Sequence, residues 1–158
     1  MSHILLVGEV NPISVRPEHA LYPWPRNCSG ERLQRLVMAV SCHDYLRCYD
    51  RVDLCTGKWS MPAARAEAAR LLGGTWSIYL LLGRKVAGAF GVEDPAWTIL
   101  ERAPKRLVLI PHPSGLCREW QAADAFGRAQ ELLRQAEVLP PRYPQAALIS
   151  SVAPVEKL

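Results

Sequence analysis

The chain has 158 residues, of which 49% are hydrophobic and 22% are charged, and its formal net charge at pH 7 is +4. These values are ordinary for a globular domain with its own core. No apolar stretch has the length of a membrane-spanning helix, and the amino terminus lacks the pattern of a signal peptide. We therefore expect a cytoplasmic monomer with no membrane partner, whose charge is compatible with a polyanionic ligand but does not demand one.

The first half of the chain alternates short apolar runs with helical patterns. Ile4–Val7 predicts a buried strand, and Arg51–Cys55 predicts a second one. Segment 11–27 is rich in proline and has no apolar period, which is typical of a loop that is either functional or disordered. A helix is expected from about Glu31 to Val40, and Ser41 is expected to cap a further short helix.

The second half continues this alternation and predicts two more strands. The expected elements are, in chain order, a helix from Ser60 to Gly73, a strand at Ile78–Leu82, a short helix from Arg84 to Phe90, a strand at Leu107–Ile110 and a closing helix from Trp120 to Glu137. Strands that alternate with helices predict an α/β three-layer sandwich around a roughly four-stranded parallel sheet. Residues 1–139 are expected to form this one domain, and 140–158 a proline-containing tail.

The five cysteines are odd in number and contain no C-x-x-C pair. This pattern argues against a disulfide framework and against an ordinary zinc or iron–sulfur site. We expect free thiols in a reducing compartment, no bound metal ion and no cofactor.

Two of the predicted strands lead into short polar loops near opposite ends of the chain. Val7-Gly8-Glu9-Val10-Asn11-Pro12 leaves the first strand, and Pro111-His112-Pro113-Ser114-Gly115-Leu116 leaves the last one. In an open α/β sheet, ligands bind at the carboxyl ends of the strands. The two loops therefore predict one site assembled from distant parts of the sequence.

These loops resemble two motifs of the uracil-DNA glycosylase superfamily. Val10-Asn11-Pro12 is similar to its first loop, Gly-x-Asn/Asp/Ala-Pro, and His112-Pro113-Ser114-Gly115-Leu116 is similar to its last, His/Asn-Pro-Ser-x-Leu. Tyr22-Pro23-Trp24-Pro25 looks like the segment that carries the base-stacking aromatic residue. Asp53 stands where the family has a base-reading asparagine. The resemblance covers about residues 4 to 120 and implies the uracil-DNA glycosylase-like fold.

The resemblance implies a reaction in which the bond between a base and deoxyribose is hydrolysed. Neutral His112 would donate a hydrogen bond to the departing base, and Asn11 would hold the attacking water. Tyr22 or Trp24 would stack on the base, and Leu116 would fill the gap left by an extruded nucleotide. Ser114 belongs to the same loop as a substrate-binding candidate. Lys58, Arg84 and Arg118 are candidates for phosphate contact.

The chain departs from the family pattern at two positions. Glu9 stands in the place of the motif's glycine and matches the glutamate of the Gly-Glu-Ala-Pro subgroup if one residue is inserted. Asp53 replaces an amide, and an ionised carboxylate only accepts hydrogen bonds. Asp53 would therefore repel the O4 atom of uracil and favour an exocyclic amine or a substituted base. We expect little or no excision of plain uracil.

Each candidate residue also has a structural alternative. Asn11 fits ordinary turn chemistry, His112 fits a helix cap, Tyr22 and Trp24 fit core anchors, and Asp53 fits a cap or an ion-pair partner. Three functions stay open: an N-glycosidase acting on a damaged or modified nucleotide, a catalytically silent binder of nucleic acid or of a modified base, and an enzyme acting on free nucleosides or nucleotides. The expected partner is accordingly DNA or a nucleotide.

Overall fold

The computed structural model describes residues 3–141, so the predicted tail lies outside the described residues beyond position 141. These residues form an α/β fold around a five-stranded sheet. The strands are β1 (Ile4–Val10), β2 (Asp50–Cys55), β3 (Ile78–Leu82), β4 (Thr98–Arg102) and β5 (Lys105–Ile110). Their order in the sheet is β2-β1-β3-β5-β4, and all neighbours are parallel except β4 and β5. The expected α/β sheet is confirmed.

The prediction of four parallel strands is wrong in one respect, because β4 adds an antiparallel strand at the edge. Arg102 pairs with Lys105, so the two strands are joined by the two-residue turn Ala103-Pro104. Ile99 and Leu100 are consecutive and both half-buried, while Glu101 and Arg102 are exposed. The segment therefore shows neither the alternation of a half-buried strand nor the continuous apolar run of a buried one.

Helices cover both faces of the sheet. They are α1 (Ser29–Arg32), which continues as a π-helical turn (Leu33–Val37), α2 (Cys42–Cys48), α3 (Met61–Leu72), α4 (Arg84–Ala89) and α5 (Ala125–Gln135), with 3₁₀ turns at Pro17–His19 and Arg118–Gln121. Ser41 and Ser60 cap α2 and α3 through their side chains. The closing helix begins later than predicted, because the residues around Trp120 form a 3₁₀ turn that packs against the last strand's loop.

The inner strands β1, β3 and β5 are buried on both faces over most of their length, as is typical of parallel sheets covered by helices. Leu80 and Val108 face a cluster formed with the π-helical turn, α2 and α5. Tyr79 and Leu107 face the opposite cluster, formed with α3 and α4. Burial of one such side chain stabilises the fold by about 1.5–3 kcal/mol. With both faces covered, the carboxyl edge of the sheet is the place where polar side chains can reach a ligand.

Candidate functional site

A cavity of about 690 Å³ opens at the carboxyl edge of the sheet. This volume lies within the usual range of small-molecule sites. Seven residues that the sequence identified as site candidates line this cavity: Glu9, Asn11, Tyr22, Trp24, Asp53, His112 and Ser114. They come from the end of β1, the following loop, β2 and the loop after β5. The structure therefore brings most of the candidate residues together around one space.

Two glycines leave room for the polar side chains at this edge. Gly8 in β1 is the register partner of Asp53 in β2, and a Cβ atom at Gly8 would overlap the Asp53 Oδ1 atom. Gly83, directly after β3, has a φ of +92°, and a Cβ atom there would lie 3.0 Å from the Cβ of His112. The two central strands thus have no side chain where Asp53 and His112 need the space.

The Asp53 carboxylate is half-buried at the cavity and is not hydrogen-bonded to any part of the chain that the structure describes. Burial raises the pKa of Asp53 to about 6, against the lowering effect of the Arg51 guanidinium, and the charge of Glu9 raises it further. The carboxylate is therefore free to meet a group supplied by a ligand.

His112 is held as a neutral hydrogen-bond donor. The backbone N–H of Ser114 donates to its Nδ1 atom at 3.2 Å, so the neutral ring carries its proton on Nε2. Burial lowers the pKa of His112, an effect opposed by Glu9 and reinforced by Lys85. The ring is therefore uncharged at pH 7 and presents one N–H group.

The loop that carries His112 is fixed by two long-range hydrogen bonds. Trp120 Nε1 donates to the backbone oxygen of His112 at 2.7 Å, and Arg32 Nε donates to the backbone oxygen of Pro113 at 2.8 Å. Ser114 lines the cavity, but its Oγ accepts the Leu116 N–H at 3.2 Å. The Ser114 hydroxyl thus shapes the turn, and its contact with a substrate stays a prediction.

Asn11 uses most of its amide to hold its own loop. Its Oδ1 accepts the backbone N–H groups of Ile13 at 2.8 Å and Ser14 at 3.1 Å, and its Nδ2 donates to the backbone oxygen of His19 at 2.9 Å. These contacts match the turn-forming alternative for this residue. One N–H of the amide remains for a ligand, so the assignment of a catalytic water to Asn11 stays a prediction.

Tyr22 and Trp24 line the cavity from its exposed side. Tyr22 is 41% exposed and Trp24 is 72% exposed, so both rings have free surface at the mouth. The Arg51 guanidinium lies 5.8 Å from the centre of the Tyr22 ring and donates to the backbone oxygen of Ala20 at 2.9 Å. Arg51 thus packs near the Tyr22 ring and holds the backbone of the same loop. Of the two rings, Trp24 is the more available for stacking.

Two candidates lie outside the cavity. Leu116 is 91% exposed, and Arg118 is exposed at the start of the neighbouring 3₁₀ turn. Neither side chain lines the cavity. Both follow His112 in the chain, so they occupy the outer surface beside it. Their contacts with an extruded nucleotide or a phosphate stay predictions.

Sequence reasoning missed some residues of this site. His19 and Cys28 also line the cavity. The sequence favours a solvated loop pair for Glu18-His19 over an acid/base pair, and it predicts a free thiol at Cys28. Gly83 belongs to a strand-end loop that the sequence predicts to converge with the His112 loop. Its contact with His112 follows from the pairing of β3 with β5, which places Leu82 opposite Ile110. The predicted convergence of the loops does not by itself give this contact.

The cavity is lined by carboxylates but by no lysine or arginine. Glu9 and Asp53 are its acidic side chains, and no lysine or arginine lines it. Within residues 3–141, no three His, Cys, Asp or Glu side chains are grouped as a metal site would require. Over the same residues, no helix combines the length and the apolar character needed to cross a bilayer.

Comparisons with known proteins identify no family for this chain. No protein-family model matches it, and a search of curated proteins finds no match either. The argument for a function therefore depends on the chemistry of the cavity itself.

Proposed function

We propose that this protein is an N-glycosidase that hydrolyses the bond between a base and deoxyribose in a damaged or modified nucleotide of DNA. The proposal is supported by the resemblance of its two loops to motifs of the uracil-DNA glycosylase superfamily and by the position of the cavity at the sheet's carboxyl edge. The observation that supports this most is the shared cavity of His112 and Asp53. There a neutral N–H donor and an unpaired carboxylate line one space of base-binding size.

The chemistry of base release matches these side chains. When the N-glycosidic bond breaks, its electron pair stays with the base, and the sugar gains positive charge. The Nε2–H group of His112 can donate to the base as negative charge develops there. Asp53 can accept a hydrogen bond from an amine on the base edge. Trp24 and Tyr22 offer aromatic faces for stacking at the mouth.

The charge of the cavity favours entry of the base without its phosphates. Glu9 and Asp53 would repel a phosphate group inside, and the lining has no lysine or arginine to offset them. Lys58 and Arg118, which are exposed outside the lining, are suited to backbone phosphates. This arrangement supports extrusion of one base from a nucleic acid strand into the cavity.

The same acidic lining favours a second candidate, an enzyme that acts on free nucleosides. A nucleoside has no phosphate for Glu9 and Asp53 to repel. Strong, salt-sensitive binding to DNA would distinguish the first candidate from this one, because phosphate contacts release counterions.

A glycosylase screen tests the proposal. Oligonucleotides with uracil, hydroxymethyluracil, hypoxanthine, xanthine or alkylated bases are incubated with the protein, treated with alkali and examined for strand breaks. Free nucleosides and nucleotides are assayed alongside by chromatography of the released base. We expect release of a modified base from an oligonucleotide. Tight DNA binding without any release would identify a silent binder instead, and release from free nucleosides alone would support the second candidate.

A further inference from the structure

Hydrolysis of an N-glycosidic bond is accelerated by a group that takes a proton from the attacking water. The amide of Asn11 cannot do so, and its oxygen already accepts two backbone N–H groups. His112 cannot do so in its neutral form, because Ser114 occupies Nδ1 and Nε2 carries the proton. The proton acceptor therefore has to be another group at the cavity.

His19 is already used within its own loop. Its Nδ1 atom lies 2.8 Å from the Ser14 hydroxyl, and its backbone oxygen accepts the Asn11 amide at 2.9 Å. The cavity is also lined by two carboxylates, Glu9 and Asp53, which are the natural acceptors of a water proton.

The register of the sheet separates the positions of these two carboxylates. Asp53 pairs with Gly8, so Glu9 lies one residue further along β1 toward its carboxyl end. One residue in a strand corresponds to about 3.3 Å. Asp53 is thus set further back in the sheet, where its carboxylate lies against Gly8. Glu9 lies closer to the Asn11 loop at the mouth, where the sugar of a bound nucleotide would remain.

Two further observations concern Glu9. The part of the chain that the structure describes offers its carboxylate no hydrogen bond or ion pair, although Glu9 is half-buried. Its charge also raises the pKa of both Asp53 and His112, so it lies within electrostatic reach of both. A carboxylate in this position can meet a water molecule placed between the base and the mouth.

We infer that Glu9 is the catalytic base of this site, an inference that rests on the proposed function. The water oxygen forms a bond to C1′ of the sugar while the bond between C1′ and the base nitrogen breaks. The electron pair of that bond leaves with the base, whose charge is stabilised by the N–H of His112. The water proton passes to the Glu9 carboxylate, which then releases it to solvent, and the base takes a proton from solvent.

The experiment uses Glu9→Gln in the full chain with the substrate found by the glycosylase screen. We expect single-turnover base release to fall by about 10²-fold or more, while substrate affinity stays within about threefold of the wild type. Sodium azide is then added, because azide attacks C1′ without losing a proton. Azide should restore release in Glu9→Gln and give a 1-azido sugar detectable by mass spectrometry. It should not restore release in His112→Ala, which lacks the donor to the base.

A matched control is Glu101→Gln, which alters a glutamate at the opposite edge of the sheet, where Glu101 pairs with Arg106. Its base release should equal that of the wild type. An active wild type with an unimpaired Glu9→Gln variant overturns the inference alone, and so does azide rescue of Asp53→Asn in place of Glu9→Gln. A wild type that releases no base from any substrate overturns the proposed function and this inference with it.

Discussion

Polar side chains at the two edges of the sheet differ in whether they have hydrogen-bond partners within the protein. At the amino edge, Asp50 accepts the Trp76 Nε1–H at 2.7 Å, Lys105 donates to the backbone oxygen of Gly74 at 2.7 Å, and Arg106 donates to the backbone oxygen of Ala136 at 2.9 Å. At the carboxyl edge, the Asp53 carboxylate and the Nε2 of His112 have no hydrogen-bond partner within residues 3–141. These three groups at the amino edge are paired within the chain, and these two groups at the carboxyl edge are open.

This difference separates structural from functional groups in a single sheet. Partial burial disfavours the charged form of a carboxylate that has no partner. The paired groups at the amino edge avoid this cost, while Asp53 at the carboxyl edge retains it. Groups kept unpaired at such a cost are suited to partners that arrive with a ligand, as in the usual trade between activity and stability. Substitutions at the two edges should therefore have opposite consequences.

The largest effect is expected for base choice at the open edge. The ionised Asp53 rewards an N–H donor on the base and penalises a carbonyl. A site that hydrogen-bonds its ligand rejects a mismatched one by up to about 10⁴-fold. We expect weak or absent activity on plain uracil and a shift of preference toward uracil in Asp53→Asn. The measurement is the ratio of kcat/KM for uracil to kcat/KM for the modified base that the wild type releases. Robust uracil excision by the wild type, unaffected by Asp53→Asn, would show that another group recognises the base edge.

A smaller effect is expected from His112→Ala. Loss of a hydrogen-bond donor that acts on developing charge typically lowers the rate by about 10²–10³-fold. Because the donor acts mainly in the transition state, DNA affinity should hardly change. Single-turnover base release and fluorescence anisotropy measure the two quantities. Equal losses in rate and affinity would indicate that His112 contributes to binding and not specifically to catalysis.

The free energy of unfolding of the protein should depend on pH through Asp53, at the open edge of the sheet. Its pKa rises from 3.8 to about 6 on folding, so the folded state binds more protons than the unfolded state between these values. Stability is therefore lost as pH rises from about 4 to 6. Asp53→Asn should raise the free energy of unfolding by about 2–3 kcal/mol at pH 8 and leave it unchanged at pH 3.

Urea denaturation at both pH values measures this difference. The exposed Asp94 provides the control, since Asp94→Asn should show no such pH dependence. A variant Asp53→Asn that is less stable than the wild type at pH 8 would show that the carboxylate is paired in solution.

The smallest effect is expected at the closed edge. Lys105 donates to the backbone oxygens of Gly74 and Trp76, and its ammonium group lies 5.6 Å from the centre of the Tyr79 ring. Lys105→Met keeps the length of the side chain but removes these donors. We expect a loss of about 1–2 kcal/mol in the free energy of unfolding, measured in urea, with unchanged base release. A loss of base release without destabilisation would contradict the division between the two edges.

The sequence predicts those parts of the fold in which burial determines the pattern. Ile78–Leu82 is observed with the predicted bounds, because this central strand is covered on both faces and is apolar throughout. The edge strand β4 was missed, because its half-buried residues carry no clear period. The delayed start of α5 depends on the contact of Trp120 with the distant His112, which no local pattern reveals.

The sequence predicts which residues form the candidate site but not which of their polar groups are already hydrogen-bonded within the fold. Motifs indicated Asn11, Asp53 and His112, and the sheet order explains why they meet. Whether a polar group is already satisfied depends on neighbours in the folded chain. The Asn11 amide is mostly used within its loop, whereas the Asp53 carboxylate is unpaired. This distinction between similar side chains comes from tertiary structure alone.

The three hydrogen bonds of Asn11 also affect the entropy of ligand binding. They connect Asn11 to Ile13, Ser14 and His19, and so restrict the first part of the loop before any ligand is present. Ordering a backbone residue costs about 1–2 kcal/mol of conformational entropy. In this loop that cost belongs to folding and not to association. A ligand therefore meets a wall that is already shaped, and less of its interaction energy is spent on ordering the chain.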